Sequence, residues 1–201
     1  MTSFSFFREQ KLGVVFLAVF TFVLFPFDTA SAFSRLARDP NRHGAFITQT
    51  LTKANSPYVI EGTFGIECAN NTVLFGDTLT IEAGVVVKFE PFQPCAFSFG
   101  GTKLWIYGSL VVNGAEQEPV IFTSYYDDTA GGDTDGDGGI RLPQPGDWDG
   151  IRVDSFQQGQ FPSVALHHAT IRYVDKGLAM GASAEGRTSF DHMEFAHNNV
   201  G

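Results

Sequence analysis

Seven aspartates crowd into 23 residues of this chain: Asp127, Asp128, Asp133, Asp135, Asp137, Asp147 and Asp149, with Arg141 the only positive charge among them. Within this run, Asp133-Thr134-Asp135-Gly136-Asp137-Gly138 has the D-x-D-x-D-G form that opens calcium loops. Carboxylates at alternate positions converge on one hard cation when the residues between them turn tightly, and Gly138 stands where such loops bend. The pattern is incomplete, because Gln144 occupies the twelfth position, where a bidentate Glu is expected. The spacing therefore predicts Ca2+ on Asp133, Asp135 and Asp137, with Asp147 or Asp149 completing the shell. Such an ion would stiffen the loop rather than perform chemistry. The alternative is a solvated loop kept soluble by its charge.

Other chemistry is sparse. Arg152 and Arg172 alternate with Ile151, Val153, Ile171 and Tyr173, so both are expected to face outward, as are Asp149 and Asp154. They are candidates for a groove, or ordinary surface charges. His168 and His192 each come three residues before an apolar strand position, Ile171 and Phe195. With His167 and His197 they suggest either a metal ladder or polar residues at corners. No phosphate loop or nucleophile elbow is present.

The elements that must position these groups follow from a repeat. Leu79-Thr80-Ile81, Gly84 and Val85-Val86-Val87 are echoed by Leu104-Trp105-Ile106, Gly108 and Leu110-Val111-Val112. Ile81 to Ile106 is 25 residues, and so is Val87 to Val112. A fixed period of short alternating strands and Gly turns predicts a solenoid, in which each coil buries its apolar face only when a neighbour stacks on it. Ile151 follows Ile106 by 45 residues, one period plus an insertion between Tyr125 and Asp147. Beyond it, Ile151 to Leu178 is 27 residues and Ile171 to Met193 is 22. Parallel strands with Ile81 stacked on Ile106, and Ile171 beside Met193, are expected. Gly108, Gly114, Gly150, Gly177 and Gly186 fall near strand ends, where corners need unusual backbone angles. An antiparallel β-sandwich is the competing fold.

Residues 1–32 have the form of a signal peptide: Arg8 and Lys11, an apolar run from Leu12 to Phe27, then Ala30-Ser31-Ala32. The run is shorter than the ~20 residues that span a bilayer, and an uncleaved anchor is the alternative. Either way the chain is expected to be secreted or to lie in the cell envelope or periplasm, with no membrane span after cleavage. Removing Arg8, Lys11, Glu9 and Asp28 with the leader leaves 11 basic and 20 acidic residues and a net charge of −9. That argues against nucleic acid, which needs a basic footprint. Residues 33–56 carry little periodicity and read as an N-terminal linker and cap, with 33–45 equally readable as a disordered tail. Cys68 and Cys95 stand 27 residues apart, about one coil. Stacked coils lie ~4.8 Å apart, within the Cα range of a disulfide, so a Cys68–Cys95 bond is expected; two buried thiols are the alternative. Asn70-Asn71-Thr72 is a glycosylation sequon, meaningful only in a eukaryotic host.

The runs Ser56-Pro57-Tyr58-Val59-Ile60, Thr78 to Phe89, Pro119 to Ser124 and Gly146-Asp147-Trp148-Asp149-Gly150-Ile151 resemble exported right-handed parallel β-helix proteins of the pectin-lyase-like superfamily. The resemblance covers about residues 56–201 and implies an all-β fold, a right-handed parallel β-helix over 57–201 with an acidic insertion at 125–147. It also implies that the Gly-Asp-Trp turn returns the chain to the helix. The acidic run is similar to the calcium turns of dockerin and thrombospondin type 3 modules. Lyases of the superfamily use Ca2+ to hold an acidic sugar with an Arg or Lys as base, and related hydrolases use clustered Asp residues. No residue here aligns with either machinery. The expected function is therefore a non-catalytic surface or matrix module presenting loops to a polysaccharide, cell-surface glycan or protein; the alternative is a polysaccharide lyase or glycoside hydrolase. The chain stops as Met193 to Gly201 opens another coil, so the solenoid is expected to be incomplete at its C-terminus.

Overall fold

Alternating apolar and polar residues make strands of two to ten residues in a computed structural model that describes residues 33–62, 71–91, 101–155, 157–181 and 187–200. In chain order they are β1 (Ser34–Arg35), β2 (Arg38–Asp39), β3 (Ala45–Phe46), β4 (Gln49–Leu51), β5 (Tyr58–Ile60), β6 (Thr72–Val73), β7 (Thr78–Glu82) and β8 (Val86–Phe89). Then come β9 (Lys103–Ile106), β10 (Ser109–Asn113), β11 (Val120–Ser124), β12 (Gly150–Val153), β13 (Ser163–Arg172), β14 (Leu178–Met180) and β15 (Thr188–Ala196). Among these strands every pairing is parallel except β2 with β3. That excludes the antiparallel sandwich.

The strands form three ladders. The first is β3-β6-β9-β12-β14. The second is β4-β7-β10 continued by the first half of β13 and of β15. The third is β1-β5-β8-β11 continued by their second halves. The second and third ladders belong to one curled sheet, because β13 and β15 each run through a corner at His168 and His192. From β3 onward the chain visits the ladders in the same order on every turn. Residues 34–51, at the N-terminal end, are already part of these sheets.

Inward side chains stack in columns: Leu51, Ile81, Val112 and Leu166 in one ladder, and Val73, Ile106 and Val153 in another. All are buried. In the last turn the same columns reach Phe190 and Met180, which are about two-fifths exposed at 43% and 40%. Each turn thus depends on its neighbours for burial. Where the chain returns from the acidic excursion, Trp148 is fully buried and stacks on Phe89 at 3.8 Å and 4°. Its Nε1 donates to the Arg172 carbonyl at 3.0 Å.

The register differs from the sequence expectation. Ile81 pairs with Val112, not Ile106, and Ile106 lies between Val73 and Val153. Ile171 pairs with Phe195, while Met193 pairs with Ala169. Ile151 does pair with Leu178, as its spacing implied. The error has a physical origin. Leu79 to Val87 turns from the second ladder into the third, whereas Leu104 to Val112 turns from the first into the second. Any strand–Gly–strand corner looks alike in sequence, so these two different corners superpose at a 25-residue spacing. Aligned correctly, Leu51 to Ile81 is 30 residues and Ile81 to Val112 is 31.

The corners themselves are tight. A Cβ on Gly108 would stand 2.2 Å from the Leu74 carbonyl oxygen, and one on Gly114 would stand 2.1 Å from that of His168. Glycine is required there because the backbone of the preceding turn, at Gly108, or of the following turn, at Gly114, occupies the side chain's place.

Candidate functional site

Among the described residues, two outer surfaces, at the acidic insertion and on the first ladder, gather polar groups from several strands. One is the acidic excursion between β11 and β12. Its base is fixed by buried ions. Asp127 is fully buried; its carboxylate accepts from the Thr123 hydroxyl at 2.6 Å and from the Thr129 hydroxyl at 2.5 Å, and the Arg172 Nε lies 3.2 Å away. Lys88 alternates with Val87 and Phe89, so it leaves the core, yet the excursion covers it completely. Its Nζ donates to the Gly132 carbonyl at 2.6 Å. Burial pulls its pKa down, opposed by the carboxylates of Asp128, Asp127, Asp135 and Asp133.

Above this base the aspartates separate into groups. Asp133 accepts from the backbone N–H of Gly136 at 2.7 Å and of Gly138 at 2.9 Å. The Gly138 bond leads in holding its pKa below the ordinary value. Asp128, Asp133 and Asp135 bring carboxylate oxygens within 4.8 Å of one another. Burial, then the nearby Asp133, raises the pKa of Asp128, and burial with a shared Asp133 hydrogen bond raises that of Asp135. One oxygen of Asp128, Oδ1, is buried without a hydrogen-bond partner. Asp137 instead caps the next bend, accepting from the N–H of Ile140 and of Arg141, both at 2.8 Å. Asp147 is bound by the Ser124 hydroxyl at 2.5 Å and the Gln144 N–H at 3.0 Å. Asp149 pairs with Lys103 at 2.7 Å, beside the first ladder. Of the five predicted ligands, Asp133 and Asp135 come together, and Asp128 joins them rather than Asp147 or Asp149.

The other surface is the outer face of the first ladder. Leu104 and Ile106 point inward, so Trp105 and Tyr107 point out. Their rings stack at 5.7 Å and 19°. The Arg152 guanidinium lies 5.0 Å from the Trp105 ring and the Lys103 ammonium 5.8 Å. Arg152 is also 3.6 Å from Asp154. Beside the platform is a cleft of about 560 Å³ walled by Asn41, Arg42, His43, Thr72, Trp105 and Tyr107. Arg42 is held at its edge by Asp77 at 2.6 Å and Asp39 at 2.7 Å, which raise its pKa. Burial pushes the Tyr107 hydroxyl's pKa up.

Sequence reasoning placed Arg152, Asp149 and Asp154 on an outer face, where they are. Arg172 does not face a groove; it is turned into the base of the excursion against Asp127. The Trp105–Tyr107 platform was missed, although aromatic residues at alternate outward positions of a strand were the visible signal. Lys88 was missed because nothing local shows that a distant loop covers it. His168 and His192 stack on each other, and Tyr173 stacks on His197 at 5.2 Å. Cys68, Cys95 and the sequon's Asn70 lie outside the described residues, as does the leader, residues 1–32. In comparisons with protein-family models, with curated proteins and with solved structures, nothing matched the chain.

Proposed function

We propose that this chain is an exported right-handed parallel β-helix module, similar to the pectin-lyase-like superfamily, that binds polysaccharide without cleaving it. The observation that carries the binding reading is the Trp105–Tyr107 platform beside its cleft. Sugar rings present C–H faces that pack on aromatic rings and hydroxyls that hydrogen-bond to flanking polar groups. Trp and Tyr supply both an apolar face and a polar tip, and the cleft is of the size that ligand sites occupy. The carboxylates at this face, Asp149 and Asp154, each lie beside a cation, Lys103 and Arg152. That suits binding better than proton transfer. The constant ladder order supports a helical course, and parallel crossovers are almost always right-handed. The leader motif supports export to the cell surface, envelope or medium. No helix among the described residues is long and apolar enough to cross a membrane.

Affinity electrophoresis through gels containing neutral and acidic polysaccharides tests the reading. Retardation by at least one glycan, lost in Trp105→Ala, supports it. Equal mobility in every gel refutes it, and release of oligosaccharides from any of them moves the chain to the lyases or hydrolases.

The acidic excursion is proposed to take Ca2+ on Asp128, Asp133 and Asp135, as a brace. The unpartnered Asp128 oxygen and the crowding of three carboxylates support this. Binding would raise stability by about 2.7 kcal/mol at a hundred times the dissociation constant. Extracellular modules bind at ~10⁻⁴–10⁻³ M, so the test compares melting and loop proteolysis in millimolar Ca2+ and in chelator. Identical behaviour in both, or a shift retained by Asp133→Ala/Asp135→Ala, refutes the brace.

A further inference from the structure

The corner joining the two halves of β13 and β15 places a second set of donors far from oxygen-only chemistry. His168 and His192 occupy equivalent corner positions on adjacent turns, and their rings lie 4.3 Å apart at 10°. Asp191 adjoins them, its Oδ1 2.6 Å from His192 Nδ1 and its Oδ2 3.9 Å from His167 Nδ1. A nitrogen of each of His168 and His192 and a carboxylate oxygen of Asp191 all lie within 4.8 Å of one another. We propose that His168, His192 and Asp191 form a surface site for a divalent transition metal, Zn2+ or Cu2+.

The donor chemistry selects the ion. Two imidazoles and one carboxylate suit Zn2+ and Cu2+, while Ca2+ prefers oxygen alone. The backbone aligns the rings. His168 has φ 45° and His192 has φ 51°, in the left-handed region, where non-glycine residues are uncommon. His is among the residues that tolerate this region, and two successive turns carry it at the same corner. The corner therefore projects both imidazoles to the same side, one strand spacing apart. An ion ~2.0–2.1 Å from a nitrogen of each ring requires the rings to splay. His192, with its side chain 66% exposed, has room to turn. It then gives up its contact with Asp191, whose carboxylate bonds to the ion instead. His167, the register partner of Asp191, lies 3.9 Å from the other oxygen of that carboxylate.

The test uses untagged, metal-stripped full chain titrated with Cu2+ and followed by electron paramagnetic resonance, and with Zn2+ followed by calorimetry. One equivalent of either metal should bind, with two nitrogens coupled to Cu2+ and no displacement by excess Ca2+. His168→Asn and His192→Asn keep a residue that tolerates the left-handed backbone; each removes a direct ligand and should weaken binding by at least the ~10–100-fold that loss of an outer-shell partner costs. His197→Asn should leave it unchanged. The nitrogen count on the wild-type chain needs no variant: fewer than two nitrogens, or no saturable binding, overturns the site. Unchanged affinity in the double Asn variant overturns it as well.

Discussion

Ile106→Ala tests the stacking register most sharply. Ile106 is fully buried, in a column with Val73 below and Val153 above. The substitution deletes three carbons, about 2.5 kcal/mol of transfer free energy at ~0.8 kcal/mol each. Its neighbours are held by two backbone ladders and collapse poorly, so the cavity adds to this, and the loss should fall at about 3–4 kcal/mol, within the range for such truncations. Register enters through double-mutant cycles. Ile106→Ala combined with Val153→Ala should show a coupling of about 0.5–3 kcal/mol, because the second truncation enlarges a cavity that already exists. Ile106→Ala combined with Leu51→Ala should be additive within about 0.5 kcal/mol. Leu51 reaches the turn of Ile106 only through Ile81 and Val112, two strand spacings of ~4.8 Å. Urea unfolding followed by circular dichroism measures all six species of the two cycles. Additivity of Ile106 with Val153, or coupling of Ile106 with Leu51, would refute the register and the column argument with it.

Gly108→Ala should abolish the folded state or lower the melting temperature severely, since its Cβ would stand 2.2 Å from a backbone oxygen that cannot retreat without parting two turns; near wild-type melting would show that the turns are not so closely stacked. Asp128 has a raised pKa, so folding favours its protonated form; the stabilisation is complete below its unfolded value near 3.8 and is lost as pH rises through the folded value. Without Ca2+, Asp128→Asn should therefore melt above wild type at pH 7, with the gap closing towards pH 4, and it should remove the Ca2+ response. A variant that melts lower at pH 7, or whose gap is independent of pH, contradicts that environment.

That the chain is all-β and built of parallel strands was legible in sequence because inward residues alternate and glycines mark the corners, both local properties. Ile151 above Leu178 could be found this way, since both stand just after corners of the same ladder. Ile81 above Ile106 could not, because the three corners of a turn share one local pattern and only long-range pairing distinguishes them. The acidic excursion was legible as a composition, but its internal grouping was not. Asp147 is bound by the hydroxyl of Ser124 and Asp149 by Lys103, partners remote from the D-x-D-x-D-G pattern. Lys88 and Arg172 carry outward parity, yet Lys88 is fully buried and Arg172 keeps only 20% of its side chain exposed, because parity reports the direction away from the core and not what a 25-residue excursion later lays over it. Trp105 and Tyr107 were visible as outward aromatics; the cleft beside them depends on Arg42 and His43, brought in from the first turn.

The binding proposal is tested most directly by the accessibility of one indole. The chain has two tryptophans, Trp105 on the outer platform and Trp148 fully buried against Phe89. Collisional quenching by acrylamide should therefore report almost wholly on Trp105. Adding the polysaccharide that retards the protein should protect that emission, with the degree of protection following the same saturation curve as retardation. If the glycan binds while Trp105 remains as quenchable as in the free protein, the platform is not the site and the proposed function loses its support.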